Sequence, residues 1–174
     1  PLPSVLPLKR LDPQWRCFFA DGTQLDLVED PEAMAARLEA FAPGRGLAKG
    51  YGDFMALSAH LAEISESYFF WKPVGALRDA VNLREAFDLS VWRDILALRM
   101  GWTVSGTVGH FLGERRARQM AEHFTQYVGS SPLAAPAVLC GIAHMQLDEG
   151  IWYPQGGLRR VADAPRTLAE RLNL

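Results

Sequence analysis

The chain has 174 residues, 49% of them hydrophobic and 22% charged, with a formal net charge of -2; this is the composition of a folded domain with a sizeable core, and it excludes wholesale disorder. Eighteen basic residues against twenty acidic ones leave no electrostatic footprint for nucleic acid. Two cysteines, Cys17 and Cys140, form no CxxC pair and cannot staple a chain of this length, so a reduced, cytoplasmic setting is expected.

In chain order, the start Pro1-Leu2-Pro3 has neither Met nor a signal-peptide pattern and suggests a piece of something longer. Trp15-Arg16-Cys17-Phe18-Phe19 is rich in aromatic residues and suits a strand. Ala20-Asp21-Gly22-Thr23 carries the Asp-Gly pair of a tight two-residue turn. Gln24 to Val28 then returns with polar and apolar residues alternating, which predicts a hairpin with Leu25 and Leu27 on one side and Asp26 on the other. Asp30-Pro31-Glu32 is a helix start, with Met34, Leu38 and Phe41 as the buried stripe and Pro43-Gly44 as the stop. Leu47, Tyr51, Phe54, Leu57, Leu61, Ile64, Tyr68 and Trp71 recur every three or four residues, the pattern of one face of a long amphipathic helix. Pro73 disfavours helix at Lys72.

From Val74 to Leu112 the chain reads as short helices joined by small residues. Val91, Ile95 and Leu98 mark one of them, Gly101 breaks it, and Thr103 to Leu112 forms another. Ala117, Met120, Phe124 and Tyr127 or Val128 predict a helix over Glu114 to Val128, followed by a loop at Gly129-Ser130-Ser131-Pro132. An apolar helix is expected from about Ala134 to Met145, a short strand at Ile151-Trp152-Tyr153, and a last helix opened by Gly156-Gly157 and interrupted by Pro165. The order gives an α+β fold dominated by helix. No apolar run reaches the roughly 18 to 20 residues that span a bilayer.

The chemistry-bearing residues are sparse. His60, His110, His123 and His144 lie far apart with no partner at ligand spacing, so no metal site is expected. No GxSxG, GxGxxG or GxxxxGK[ST] occurs, which leaves hydrolase chemistry without support and the chain without a nucleotide cradle of its own. Tyr68-Phe69-Phe70-Trp71 has two readings, a core cluster or the wall of a ligand channel or membrane-facing surface. Ile151-Trp152-Tyr153-Pro154-Gln155-Gly156-Gly157 is either a tight strand-to-helix turn or a place where a ligand or backbone approaches closely.

Three motifs carry a resemblance. Gly150-Ile151-Trp152-Tyr153-Pro154-Gln155-Gly156-Gly157 resembles the G-[VI]-W-[YF]-P-x-G-G signature of the bacterial carotenoid desaturases, the phytoene desaturase family of flavoproteins. Tyr127-Val128-Gly129-Ser130-Ser131-Pro132, followed by Ala135-Pro136-Ala137, resembles that family's [YL]-x-G-x-[SN]-P segment. Leu11-Asp12-Pro13-Gln14-Trp15-Arg16, continuing into Phe19-Ala20-Asp21-Gly22-Thr23, resembles its L-D-P-x-Y-R…F-x-D-G hairpin, with Trp15 in place of tyrosine. Pro165 departs from a helix that is usually continuous in the family.

The resemblance implies the substrate-binding and helical part of an FAD-dependent enzyme, phytoene desaturase or phytoene dehydrogenase in type, whose FAD-binding segments lie elsewhere. FAD would accept a hydride from a long polyene while a proton leaves the neighbouring carbon. The organisation it implies is 1–30 hairpin, 31–145 helical substrate- or membrane-facing region, and 146–174 strand and helix returning toward the FAD domain. Phe69, Trp71, Trp152, Tyr153, Gln155, Gly156 and Gly157 are the expected substrate contacts. An acid/base pair proposed for the family has its nearest counterparts in Arg84-Glu85 and Arg78-Asp79, neither of which aligns cleanly and both of which read more readily as solvated helix charges. The expected partners are an apolar isoprenoid and a membrane surface touched peripherally, with self-association of exposed faces. A stand-alone helical module binding lipid is the alternative, as is a flavoprotein that isomerises or saturates another isoprenoid.

Overall fold

A computed structural model describes residues 5–66, 96 and 98–172. The architecture is α+β and helix-dominated, with two small antiparallel sheets set on a helical body. Strands β1 (Leu8–Arg10), β2 (Trp15–Phe18) and β3 (Gln24–Leu27) precede helices α1 (Pro31–Phe41) and α2 (Leu47–Ser65). After the turn at 98–101 come α3 (Val104–Phe111) and α4 (Arg115–Glu122), which continues as a 3-10 helix over His123–Val128. A second 3-10 helix (Ala137–Cys140) leads into α5 (Gly141–Glu149), then β4 (Trp152–Pro154) and α6 (Arg159–Arg171).

The hairpin β2–β3 has the expected faces: Leu25 and Leu27 are buried, and Asp26 pairs across the strands with Arg16 through two bonds of 2.6 and 2.8 Å. Its turn differs from the two-residue form. Gly22 N–H donates to Phe19 O and Gly22 holds φ +80°, so the loop is a type I turn closed by a left-handed residue, one residue longer than an Asp-Gly type I′ turn. Arg116 reaches this loop from α4, contacting Asp21 at 2.9 Å and Thr23 at 3.1 Å while lying over the Phe41 ring.

Asp30 caps α1 as expected, its carboxylate accepting from Ala33 N–H at 2.7 Å. The stripe of α2 holds at most of its described positions: Leu47, Tyr51, Phe54, Leu61 and Ile64 are buried, and Leu57 is half-buried against the core. Tyr68 and Trp71, at the end of that stripe, lie outside the described residues, as do Val91 and Ile95. One core gathers Leu25, Leu27, Met34, Leu38, Phe54, Leu61, Val108, Leu112, Met120 and Phe124. Each fully buried Leu or Met contributes about 1.5–3 kcal/mol relative to exposure. Gly50 lets α2 meet the end of α3, because a Cβ there would lie 2.2 Å from Phe111 O.

Four expectations are corrected. Tyr127 and Val128 are exposed, because the chain tightens to three residues per turn after Glu122 and carries them off the buried face of Ala117, Met120 and Phe124. The apolar stretch from Ala134 is not one helix: Thr103 and Pro136 form a β-bridge, a 3-10 turn follows, and α-helix begins only at Gly141. The strand is Trp152–Pro154, and it pairs with Leu8–Arg10, a strand with no local signal of its own. Pro165 sits inside a continuous α6; the proline lacks the N–H that would reach Val161 O, and Val161 stands at the surface, where that carbonyl is open to solvent.

Candidate functional site: an apolar cleft

The segment 98–104 builds the site. Trp102 N–H closes a turn onto Arg99 O at 2.8 Å, with Gly101 at φ +85° and Arg99 at φ +46°. For arginine the left-handed region costs about 1–2 kcal/mol. The segment is then pinned to the stretch before α5: Ala137 N–H donates to Trp102 O at 3.0 Å and Val104 N–H to Ala135 O at 2.8 Å. Thr103 caps α3 by accepting from Gly106 N–H at 3.1 Å.

Ser58 holds the opposite wall. Its buried hydroxyl donates to Cys140 O at 2.7 Å and accepts from His144 N–H at 2.8 Å, tying α2 to the junction of the 3-10 turn and α5. Between these walls lies a cleft of about 430 Å³. It runs from Ser65 at the end of α2 past Leu98 and Trp102 to Val138, Ile142 and Met145. Almost all of its lining is carbon, which suits a ligand recognised by shape and apolar contact.

Arg99 is the charged residue of this lining. Its guanidinium carbon lies 5.1 Å from the Trp102 ring centroid and 5.1 Å from that of Phe111. Cys140 lies close by, its thiol pushed up to about 12 by burial and drawn partly back by the Arg99 charge, so the sulfur is a neutral neighbour. A second cavity of about 430 Å³ lies between α1, α2 and α5, bordered by Met34, Tyr51, Met55, His144 and Leu147. Burial raises the Tyr51 phenol well above its ordinary value.

The residues expected as substrate contacts divide. Trp152 and Tyr153 stand on β4 and are about half exposed, at 49% and 46%. Their strand is zipped to β1 with Arg10 opposite Trp152 and Lys9 opposite Tyr153, and the Arg10 guanidinium lies over the Trp152 ring. Gln155 continues the ladder, its N–H donating to Pro7 O at 2.9 Å. Gly156 and Gly157 turn the chain into α6 at φ +90° and +95°. This group and the apolar cleft are separate surfaces: none of Trp152, Tyr153, Gln155, Gly156 or Gly157 borders the cleft. Phe69, Trp71, Arg78, Asp79, Arg84 and Glu85 lie outside the described residues. The cleft residues Leu98, Arg99, Trp102, Val138, Ile142 and Met145 escaped the sequence reading; Trp102 beside a glycine was the one local hint.

Among the described residues, no group of His, Cys, Asp and Glu is placed to hold a metal, and no helix is long and apolar enough to cross a membrane. An FAD pyrophosphate is ordinarily cradled where a parallel strand turns into a helix. Both described sheets are two-stranded and antiparallel, so these residues do not fit that group.

No family model matches the chain. It is 29% identical over 167 residues to the carotenoid 3,4-desaturase of Haloarcula japonica, covering 96% of this chain and 32% of that protein. It is 28% identical over 175 residues to the 4,4'-diapolycopene oxygenase of Methylomonas sp, covering 98% and 33%. To the 4,4'-diaponeurosporene oxygenase of Staphylococcus aureus it is 29% identical over 166 residues, covering 95% and 32%. The chain thus spans about a third of the length of the curated relatives it matches. Over nearly its whole length the chain is similar to proteins named as carotenoid desaturases and oxygenases.

Proposed function

We propose that the chain is the substrate-binding part of a carotenoid-modifying oxidoreductase, and that the cleft between Leu98–Trp102 and Val138–Met145 receives one end of the polyene. The observation that carries this is the lining of that cleft, aliphatic and aromatic along both walls and built from segments held by backbone hydrogen bonds. A hydrocarbon has no polar handle, so its recognition depends on such a surface. Similarity to carotenoid desaturases and oxygenases supplies the substrate class.

In this reading the hydride acceptor is FAD, held by residues other than those described here. The chain's own share is to hold the polyene, fix its register and exclude water. The exposed faces of Trp152, Tyr153, Gln155, Gly156 and Gly157 form the side turned toward the flavin. Catalytic residues are sought outside the described positions, with Arg84 and Glu85 as candidates. The substrate reaches the site from a membrane surface touched peripherally.

Co-expression of the flavin-binding protein of which this chain would be the substrate-binding part, in carotenoid-producing cells, tests the reading. Met145→Arg, which places a cation in the cleft, is expected to lower polyene conversion at least about tenfold. Leu133→Arg, at a residue 75% exposed and outside the cleft, is expected to leave conversion within about twofold. Equal conversion by both variants contradicts the assignment of the cleft.

A further inference from the structure

We propose that Arg99 reads an oxygen-bearing end of the polyene, so that the cleft selects a carbonyl- or carboxylate-terminated substrate or product over the plain hydrocarbon. This rests on the reading of the cleft as the polyene site. Three observations carry it. Arg99 is the charged residue among the described residues that line the cleft, whose surface is otherwise almost all apolar. It is flanked by the Trp102 and Phe111 rings at 5.1 Å each, and among the described residues these two rings are the neighbours that engage it. Its backbone is held at φ +46°, a conformation that favours glycine and that a merely solvated arginine has no reason to occupy.

Aromatic rings on a guanidinium orient its plane while leaving the N–H edge open. That edge is a fork of donors matched to a carboxylate, and it also donates singly or doubly to a carbonyl oxygen. A hydrocarbon end offers no acceptor, so it would leave those donors unpaired in an apolar setting, at a cost in affinity. Two of the relatives are named as oxygenases and one as a desaturase. The charge on Arg99 therefore bears on which end-group chemistry this chain accommodates.

The test is equilibrium binding to the purified protein of crocetin, a linear polyene dicarboxylic acid, and of lycopene in detergent micelles. Wild type, Arg99→Met and Arg99→Lys are compared, with circular dichroism to establish that each variant is folded. Arg99→Met is expected to weaken crocetin binding at least about tenfold and to change lycopene binding by less than about threefold. Arg99→Lys, which keeps charge but loses the fork, should fall between. Crocetin binding unchanged in Arg99→Met, or lost in step with lycopene, overturns the role of Arg99 and leaves the cleft standing. If neither polyene binds wild type, the reading of the cleft fails and the role of Arg99 with it.

Discussion

Gly150 makes room for the guanidinium of Arg10. A Cβ built at residue 150 would lie 2.4 Å from Arg10 Nε and 2.8 Å from Nη2, and Gly150 holds φ +78°. Through that gap Arg10 pairs with Glu29 at 2.8 Å, donates to Asp148 O at 3.1 Å and covers the Trp152 ring. The contact joins β1, the end of the hairpin, the end of α5 and β4, segments some 140 residues apart along the chain.

Gly150→Ala should therefore destabilise the fold by about 1–3 kcal/mol, chiefly from the unfavourable φ, with a smaller part from displacing the Arg10 guanidinium. Urea denaturation measures it. The double variant Arg10→Ala/Gly150→Ala should recover part of the loss, because it removes the overlap and leaves only the backbone cost. Strict additivity of the two substitutions would contradict this.

Ser58→Ala removes a buried hydroxyl that serves two backbone groups, Cys140 O and His144 N–H. Losing these two bonds should cost about 1–3 kcal/mol. It should also loosen the wall of the cleft, visible as faster amide exchange at His144 than in wild type.

His123 is packed between Trp15 and Phe124, its Nδ1 2.5 Å from Met120 O and its Nε2 buried without a partner. Burial holds its folded-state pKa below the ordinary 6.5. The unfolded chain thus binds the extra proton first as pH falls, and stability should decline from about pH 6.5 downward until the folded-state pKa is passed. The carboxylates of Asp21, Asp26 and Glu114, held below their ordinary values by hydrogen bonds and neighbouring arginines, add their own loss only at lower pH. Thermal melts of His123→Phe should lose the decline between pH 6.5 and 5; an unchanged profile would assign it elsewhere.

Much of this fold is legible locally. Asp30-Pro31 starts α1, the stripe from Leu47 to Ile64 gives α2, and the alternation of Leu25 and Leu27 gives β3. These elements are encoded by neighbours within a few residues. The strand Leu8–Arg10 is not, since its partner Trp152–Pro154 is far along the chain and three residues hold no period. The cleft escapes for the same reason: Trp102 and Ala137 meet through a hydrogen bond between distant segments, and the apolar run from Ala134 reads as uniform helix although a bridge at Pro136 breaks it. Tyr127 and Val128 mislead because a 3.6-residue period was assumed where the chain winds with three.

In the proposed function the polyene end sits between Leu98–Trp102 and Val138–Met145. The direct measurement is photocrosslinking of the protein with a polyene carrying a terminal diazirine, followed by peptide mass spectrometry. Labels are expected on those two segments, reduced at least about tenfold in Met145→Arg. Labels confined to other surfaces, and indifferent to that substitution, would contradict it.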